Sequence, residues 1–227
     1  MRVSACVASR GAAFLLAAVF VFGASAPLMA QTTGTAAASE KQPTEILQLI
    51  KSGGYVLYFR HLQTDNNTKD ADLSNMKDCS KQRILSADGR ENAEKLGKAF
   101  AALKVPVGGV LTSQFCRAVD SAKLMGLTDA TETADLNNDS GEPLVTKDES
   151  ARRAKALKEL LAKSTPAGKN LVIVAHVPNI RIAAGDEFGA MKEGDLAVFA
   201  PKGAAGFQAV GIVKYADLIG LAKTASN

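Results

Sequence analysis

The chain of 227 residues has no tryptophan, three tyrosines and only 5% aromatic residues. It holds two histidines and three cysteines. Each shortage excludes something. Three cysteines cannot build a disulfide-dense mini-scaffold. Two histidines and three cysteines leave little room for a multi-ligand zinc centre. The formal net charge is +4, and the Lys and Arg residues are scattered rather than gathered in one run. The clustered basic face of a nucleic-acid binder is therefore missing, and no nucleic-acid partner is expected. Apolar residues are in good supply at 47%, too many for a disordered chain.

The apolar residues are unevenly spread. Arg2 and Arg10 precede an uncharged stretch from Gly11 to Ala26 that carries Phe14, Leu15, Leu16 and Val19 to Phe22. Small residues follow and end in Leu28-Met29-Ala30. This is the three-part pattern of a secretory signal peptide. Its apolar core is shorter than the roughly 20 residues of a spanning helix. The expected organisation is a signal peptide over 1–30, a Thr-, Ala- and Ser-rich flexible leader over 31–43, and one domain over 44–227. No other stretch is long enough to span a bilayer, so a periplasmic protein without a stable membrane span is expected. Cleavage removes Cys6 and leaves Cys79 and Cys116. In an oxidising compartment the pair forms a disulfide or stays as two thiols, and sequence alone does not supply the Cα separation that decides.

Within the domain, helical and extended signals alternate. Thr44 reads as the cap of a helix with Ile46, Leu47, Leu49 and Ile50 on its apolar face and Gly53-Gly54 as its stop. Tyr55 to Phe59 is a continuous apolar run of buried-strand length. A long polar loop occupies Leu62 to about Gln82, and loops of this length are often functional. Ser86 caps a helix with Ala93, Leu96, Phe100 and Leu103 inward. Val110 to Thr112 reads as a strand and Cys116 to Met125 as a helix. Asp129 to Lys147 carries no clear period. Asp148 or Ser150 starts a further helix through Ala154, Leu157, Leu160 and Leu161. Leu171 to Val174 is the strongest strand signal. Leu196 to Phe199 and Phe207 to Val213 read as strands, and Tyr215 to Ala222 as a helix. The alternation predicts a single α/β domain with a mostly parallel central sheet flanked by helices.

Such sheets bind ligands beyond the carboxyl ends of their strands. The first strand ends in Arg60-His61. The second is followed by Ser113 and, four residues on, Arg117. The third ends in His176. Both histidines and two arginines thus fall on one edge. Guanidinium forks fit phosphate oxygens and disfavour protonation of a neighbouring imidazole. A neutral imidazole is a nucleophile, and a second one can stabilise charge on a phosphoryl oxygen. Phosphoryl transfer needs little else.

These residues resemble the histidine phosphatase superfamily, which includes phosphoglycerate mutases and acid phosphatases. The Arg-His motif appears as Leu57-Tyr58-Phe59-Arg60-His61-Leu62, followed by Thr64. The second segment reads Ser113-Gln114-Phe115-Cys116-Arg117-Ala118-Val119-Asp120-Ser121-Ala122. The late histidine lies in Val172-Ile173-Val174-Ala175-His176-Val177-Pro178-Asn179. Leu85 to Arg90, with Ala93 and Gly97, is similar to the helix after the first motif. The resemblance covers about Gly54 to Val213. It implies the phosphoglycerate mutase-like fold and a metal-independent phosphomonoesterase that needs no cofactor. His61 would become phosphohistidine, and Arg60, Arg117 and His176 would complete the catalytic pocket. Thr64 and Arg83 would join Arg60, Arg117 and His176 in binding phosphate. Cys79, Gln82-Arg83 and Cys116-Arg117 are similar to a small periplasmic branch suggested to act on lipopolysaccharide core phosphates. The implied substrate is a phosphorylated small molecule or glycan.

Three positions depart from the pattern. Leu62 stands where the family has glycine. Val177 follows the late histidine, where some branches have an aspartic acid. The insertion glutamate of the mutases has no counterpart, which leaves Asp135, Asp139, Glu142 and Asp195 as candidate general acids. These departures keep a second reading open, a catalytically weak or inactive phospho-ligand-binding protein on the same fold. A mutase fits an exported chain least.

Overall fold

The structure is a computed structural model, and it describes residues 41–139 and 145–225. The expected signal peptide and most of the expected leader lie outside the described residues, as does Glu142. Among the described residues no helix is long and apolar enough to cross a membrane.

The first helix, α1 (Pro43–Lys51), is followed by β1 (Val56–Arg60), α2 (Ala87–Ala102), β2 (Val107–Ser113), α3 (Cys116–Leu124) and β3 (Thr131–Thr133). Then come α4 (Lys147–Ala162), β4 (Asn170–Ala175), α5 (Val177–Ala184), β5 (Leu196–Pro201), β6 (Phe207–Val213) and α6 (Tyr215–Ala225). The six strands form one sheet in the order β3-β2-β4-β1-β5-β6. The β3, β2, β4 and β1 strands run parallel, while β5 is antiparallel to both β1 and β6. The expected helix-flanked, mostly parallel sheet is what the chain forms.

The central strands alternate strictly between two cores, as a period of two requires. On β1, Leu57 and Phe59 join Leu96 and Phe100 of α2, together with Ile46, Ile50 and Leu218 of α1 and α6. Val56 and Tyr58 point the other way, toward Leu157 and Leu161 of α4 and Ile180 of α5. This is why β1 and β4 read as unbroken apolar runs: both faces of each strand are covered.

Several boundaries differ from the sequence reading, each for a local reason. Helix α1 begins at Pro43 rather than after a Thr44 cap, and the Glu45 carboxylate accepts the Gln42 N–H at 3.0 Å. Proline fits the first helical position because no partner is required for its missing N–H. Helix α4 starts at Lys147, with the Thr146 hydroxyl accepting from Glu149 N at 3.2 Å, not at Asp148 or Ser150. The unreadable stretch after Asp129 contains β3, a three-residue edge strand too short to show a period. Helix α5 directly after His176 carried no sequence signal of its own. It is eight residues long with Pro178 in its first turn.

Cys79 and Cys116 form a disulfide with a Cα separation of 5.8 Å. It fastens the long loop after β1 to the first residue of α3. The same junction holds Gln82, whose amide oxygen accepts the Cys116 N–H at 3.0 Å and whose amide nitrogen donates to Met76 O at 2.8 Å.

Candidate active site

The parallel register explains why the informative residues meet. Arg60 pairs with Ala175 across β1 and β4, and Thr112 with Val174 across β2 and β4. His61 and His176, the next residues, therefore leave β1 and β4 at one level, and Ser113 ends the neighbouring β2 one residue short of it. The rings of His61 and His176 stand 5.2 Å apart, edge to face. Phe115 packs 5.1 Å from the His176 ring and lies under the Arg117 guanidinium at 4.3 Å.

His61 is 3% exposed. Its Nδ1 lies 2.8 Å from the Leu62 carbonyl oxygen. A carbonyl only accepts, so Nδ1 carries the hydrogen and Nε2 holds the free lone pair. Burial, then the charge of Arg117, lowers the imidazole pKa to about 3, with smaller contributions from Arg60 and Arg83. His176 is held neutral in the same way, by burial first and by Arg117 and His61 next. Its Nε2 pairs with Ser113 Oγ at 2.8 Å, while its Nδ1 is buried with no partner among the described residues. When the Ser113 hydroxyl donates to Nε2, Nδ1 becomes a free donor pointing away from Ser113.

Arg117 lies on the first turn of α3 and is fully buried. Its Nη1 donates to both oxygens of Asp70, at 3.0 and 3.2 Å, and to the Arg83 carbonyl at 3.3 Å. Its Nε and Nη2 have no partner among the described residues. Nε and Nη2 form one edge of the planar guanidinium, the edge that grips two oxygens of a carboxylate or phosphate. Leaving such donors buried and unpaired is costly, so they mark a place for a ligand.

The other expected residues are placed as follows. The Arg83 Nη1 donates to Thr64 Oγ1 at 2.9 Å, so these two form a pair on the same loop. Arg60 turns its Nη1 to the Met191 carbonyl at 2.7 Å and its Nη2 toward Glu193 at 3.4 Å. It reaches the histidines through its charge rather than by contact. Among the candidate acids, Asp195 is spent on the backbone N–H groups of Lys192 and Tyr215, at 2.7 and 2.9 Å. Asp139 pairs with Arg153 at 3.1 Å and its pKa is raised, chiefly by burial. Asp135 pairs with Arg152 at 2.6 Å. None of these three side chains contacts either histidine.

Leu62, where the resemblance leads one to expect a glycine, sits without backbone strain. Among the described residues, Lys104 and Asp129 are the non-glycine positions with positive φ, and Leu62 is not one of them. Its side chain is fully buried, and a Cβ at Gly194 (φ +85°) would come within 2.9 Å of it. The space for Leu62 is thus provided by a glycine on the facing loop. The Leu62 N–H donates to Ser121 Oγ at 3.0 Å, and Ser121 Oγ donates to the Arg117 carbonyl at 2.7 Å.

Sequence reasoning missed three supporting residues. Tyr58 OH donates to the His176 carbonyl at 2.7 Å and accepts the His176 N–H at 3.1 Å, holding the end of β4. Its alternation on β1 looked like that of any core residue. Ser121 belongs to the second motif segment, but nothing in the sequence ties it to Leu62. Asp70 sat among the Asp, Asn and Lys of a polar loop, with no local pattern to separate it from its neighbours.

The neutral histidines predict an acid-side loss of stability. An unfolded histidine titrates near 6.5. Above that pH both states hold the rings neutral. As pH falls from about 6.5 toward 3, the unfolded chain takes up protons that the folded one refuses, so stability drops. Each ring contributes a slope of about 1.4 kcal/mol per pH unit over that window. Urea midpoints should decline from pH 7 to pH 5, about half as steeply for His61→Ala. Equal midpoints over that range would mean that the rings protonate in place.

Residues 56–142 match the histidine phosphatase superfamily (branch 1). No curated protein matches the chain in sequence. The fold is similar to that of the protein histidine phosphatase SixA complexed with tungstate, at 15% identity and a TM-score of 0.52, over 72% of this chain and 99% of that one. It is also similar to a mycobacterial glucosyl-3-phosphoglycerate phosphatase with inorganic phosphate, at 16% identity and a TM-score of 0.53, over 72% and 99%. At these identities the likeness is one of fold.

Proposed function

We propose that this chain is an exported phosphomonoesterase that works through a phosphohistidine on His61. The observation that carries the reading is that a neutral His61, with its Nδ1 on the Leu62 carbonyl, lies within the electrostatic reach of Arg117, whose Nε–Nη2 edge is unpartnered among the described residues. One is a nucleophile and the other a phosphate grip. The match over residues 56–142, which include Arg60, His61 and Arg117, supports it. So do the tungstate and inorganic phosphate in the two similar structures.

In the first step the Nε2 lone pair attacks phosphorus. The N–P bond forms and the P–O bond to the leaving group breaks, so that the leaving oxygen departs with the electron pair and takes a proton from solvent. Arg117 binds two equatorial oxygens and His176 Nδ1 donates to another, where negative charge accumulates. In the second step water attacks phosphorus and gives up a proton to solvent, the N–P bond breaks, Nε2 regains its lone pair and phosphate leaves. His and Arg side chains supply the nucleophile and the positive charge, so we assign the reaction no metal or cofactor. The substrate is a phosphorylated small molecule or glycan, and the long loop after β1 would shape its binding. Export is supported by the signal-like sequence of residues 1–30 and by the disulfide, which persists in an oxidising compartment.

The test is hydrolysis of p-nitrophenyl phosphate with EDTA present, combined with acid quenching of a reaction with a ³²P-labelled phosphomonoester. Turnover in EDTA and an acid-labile label on the protein are expected. Phosphate binding with neither turnover nor label would instead leave a phospho-ligand-binding protein on this fold.

A further inference from the structure

The Arg117 guanidinium has two edges, and the structure uses them differently. Nη1 is held from below by the Asp70 carboxylate and the Arg83 carbonyl. Nε and Nη2 are left open. Asp70 does more than pair with a charge. Its Oδ1 also accepts the Arg83 N–H at 2.9 Å. One carboxylate therefore binds the segment that carries Arg83 and the helix start that carries Arg117, thirteen and forty-seven residues away in sequence.

We infer that Asp70 is a positioning residue for phosphate, fixing the Arg117 guanidinium so that its Nε–Nη2 edge faces the reacting phosphoryl group. This rests on the proposed phosphate site and adds a residue to it. A guanidinium at the end of four rotatable bonds can turn its fork away from a ligand. Anchoring Nη1 on a carboxylate removes that freedom, and the entropy is lost on folding rather than on binding. A second consequence concerns charge. Arg60, Arg83 and Arg117 all act on the two histidines, and the Asp70 carboxylate offsets part of their mutual repulsion.

The hydrogen-bond and charge roles make different predictions. Asparagine keeps an oxygen that accepts from Arg117 Nη1 and from the Arg83 N–H but carries no charge. Alanine keeps neither. The experiment is calorimetric titration of the intact protein with inorganic phosphate, on wild type, Asp70→Ala and Asp70→Asn, with melting curves recorded on all three. The expected result is about tenfold or weaker phosphate binding in Asp70→Ala, the scale of one lost charge-assisted contact, and binding within about threefold of wild type in Asp70→Asn. Equal weakening in both variants would make the role one of charge and overturn the positioning assignment. Unchanged binding in a destabilised Asp70→Ala would make Asp70 structural only. Tighter binding in Asp70→Ala would make it a competitor for the arginine, which also overturns the proposal. No phosphate binding by wild type would remove the site itself, and with it both this assignment and the reading it rests on. The Asp70→Asn variant keeps the test open should Asp70→Ala fail to fold.

Discussion

His61→Ala should lose turnover by about 10⁴-fold or more, the scale seen when a covalent nucleophile is removed, while the fold survives. Among the described residues, His176, the other imidazole of the site, is not placed to take over. The His176 Nε2 is engaged by Ser113 Oγ, and its ring centre is 5.2 Å from that of His61. The fold has little invested in the His61 ring, whose hydrogen bond is to the carbonyl of the next residue. The arginine fork is unaffected, so inorganic phosphate should still bind within about an order of magnitude of wild type, because the nucleophile contributes to the transition state more than to ground-state binding. Steady-state hydrolysis of p-nitrophenyl phosphate, with a circular dichroism spectrum and a phosphate titration on the same sample, reads all three. Retained turnover in a folded His61→Ala protein would end the phosphohistidine mechanism.

Breaking the disulfide should have the largest effect on stability. The Cys79–Cys116 bond closes a sequence separation of 37 residues. In the chain-entropy account a loop of that size stabilises the fold by about 4 kcal/mol, and engineered or reduced systems often return somewhat less. For a domain of this size that corresponds to a fall in melting temperature of roughly 8–16 °C. The consequence should reach the site. The tethered loop carries Asp70 and Arg83, and the other end of the tether precedes Arg117. Cys79→Ser with Cys116→Ser, or reduction by excess dithiothreitol, should therefore lower both the melting temperature and phosphate affinity. A melting temperature within about 2 °C of the oxidised protein would show that Gln82, Asp70 and the Lys77–Glu132 pair hold the loop without the covalent bond.

Much of the site was legible because its residues follow strong local signals. His61 and His176 directly follow β1 and β4, whose burial on both faces leaves continuous apolar runs. Ser113 and Arg117 bracket the turn between β2 and α3. The general acid candidates show the opposite case. Asp139 and Asp195 are carboxylates in loops with the same composition as any catalytic acid, and only their partners, Arg153 and two backbone N–H groups, show that they serve the fold. Leu62 is similar. In sequence it breaks a motif, but in the structure Gly194 gives it room and its φ needs no glycine.

By itself the sequence determined the class of fold, the one edge of the sheet where chemistry is possible, and the histidines and arginines placed there. It did so because hydrophobic period and strand ends are local properties that one segment carries alone. Tertiary structure decided which of those groups turn into the pocket. It sent the Arg60 fork to the Met191 carbonyl, left the Nε–Nη2 edge of Arg117 open, joined Cys79 to Cys116, and brought Asp70 from a featureless loop to anchor Arg117. Those outcomes depend on the register between β1, β4 and β2 and on how the loop after β1 crosses the start of α3. Both relations are between segments distant in sequence, and no single segment encodes them.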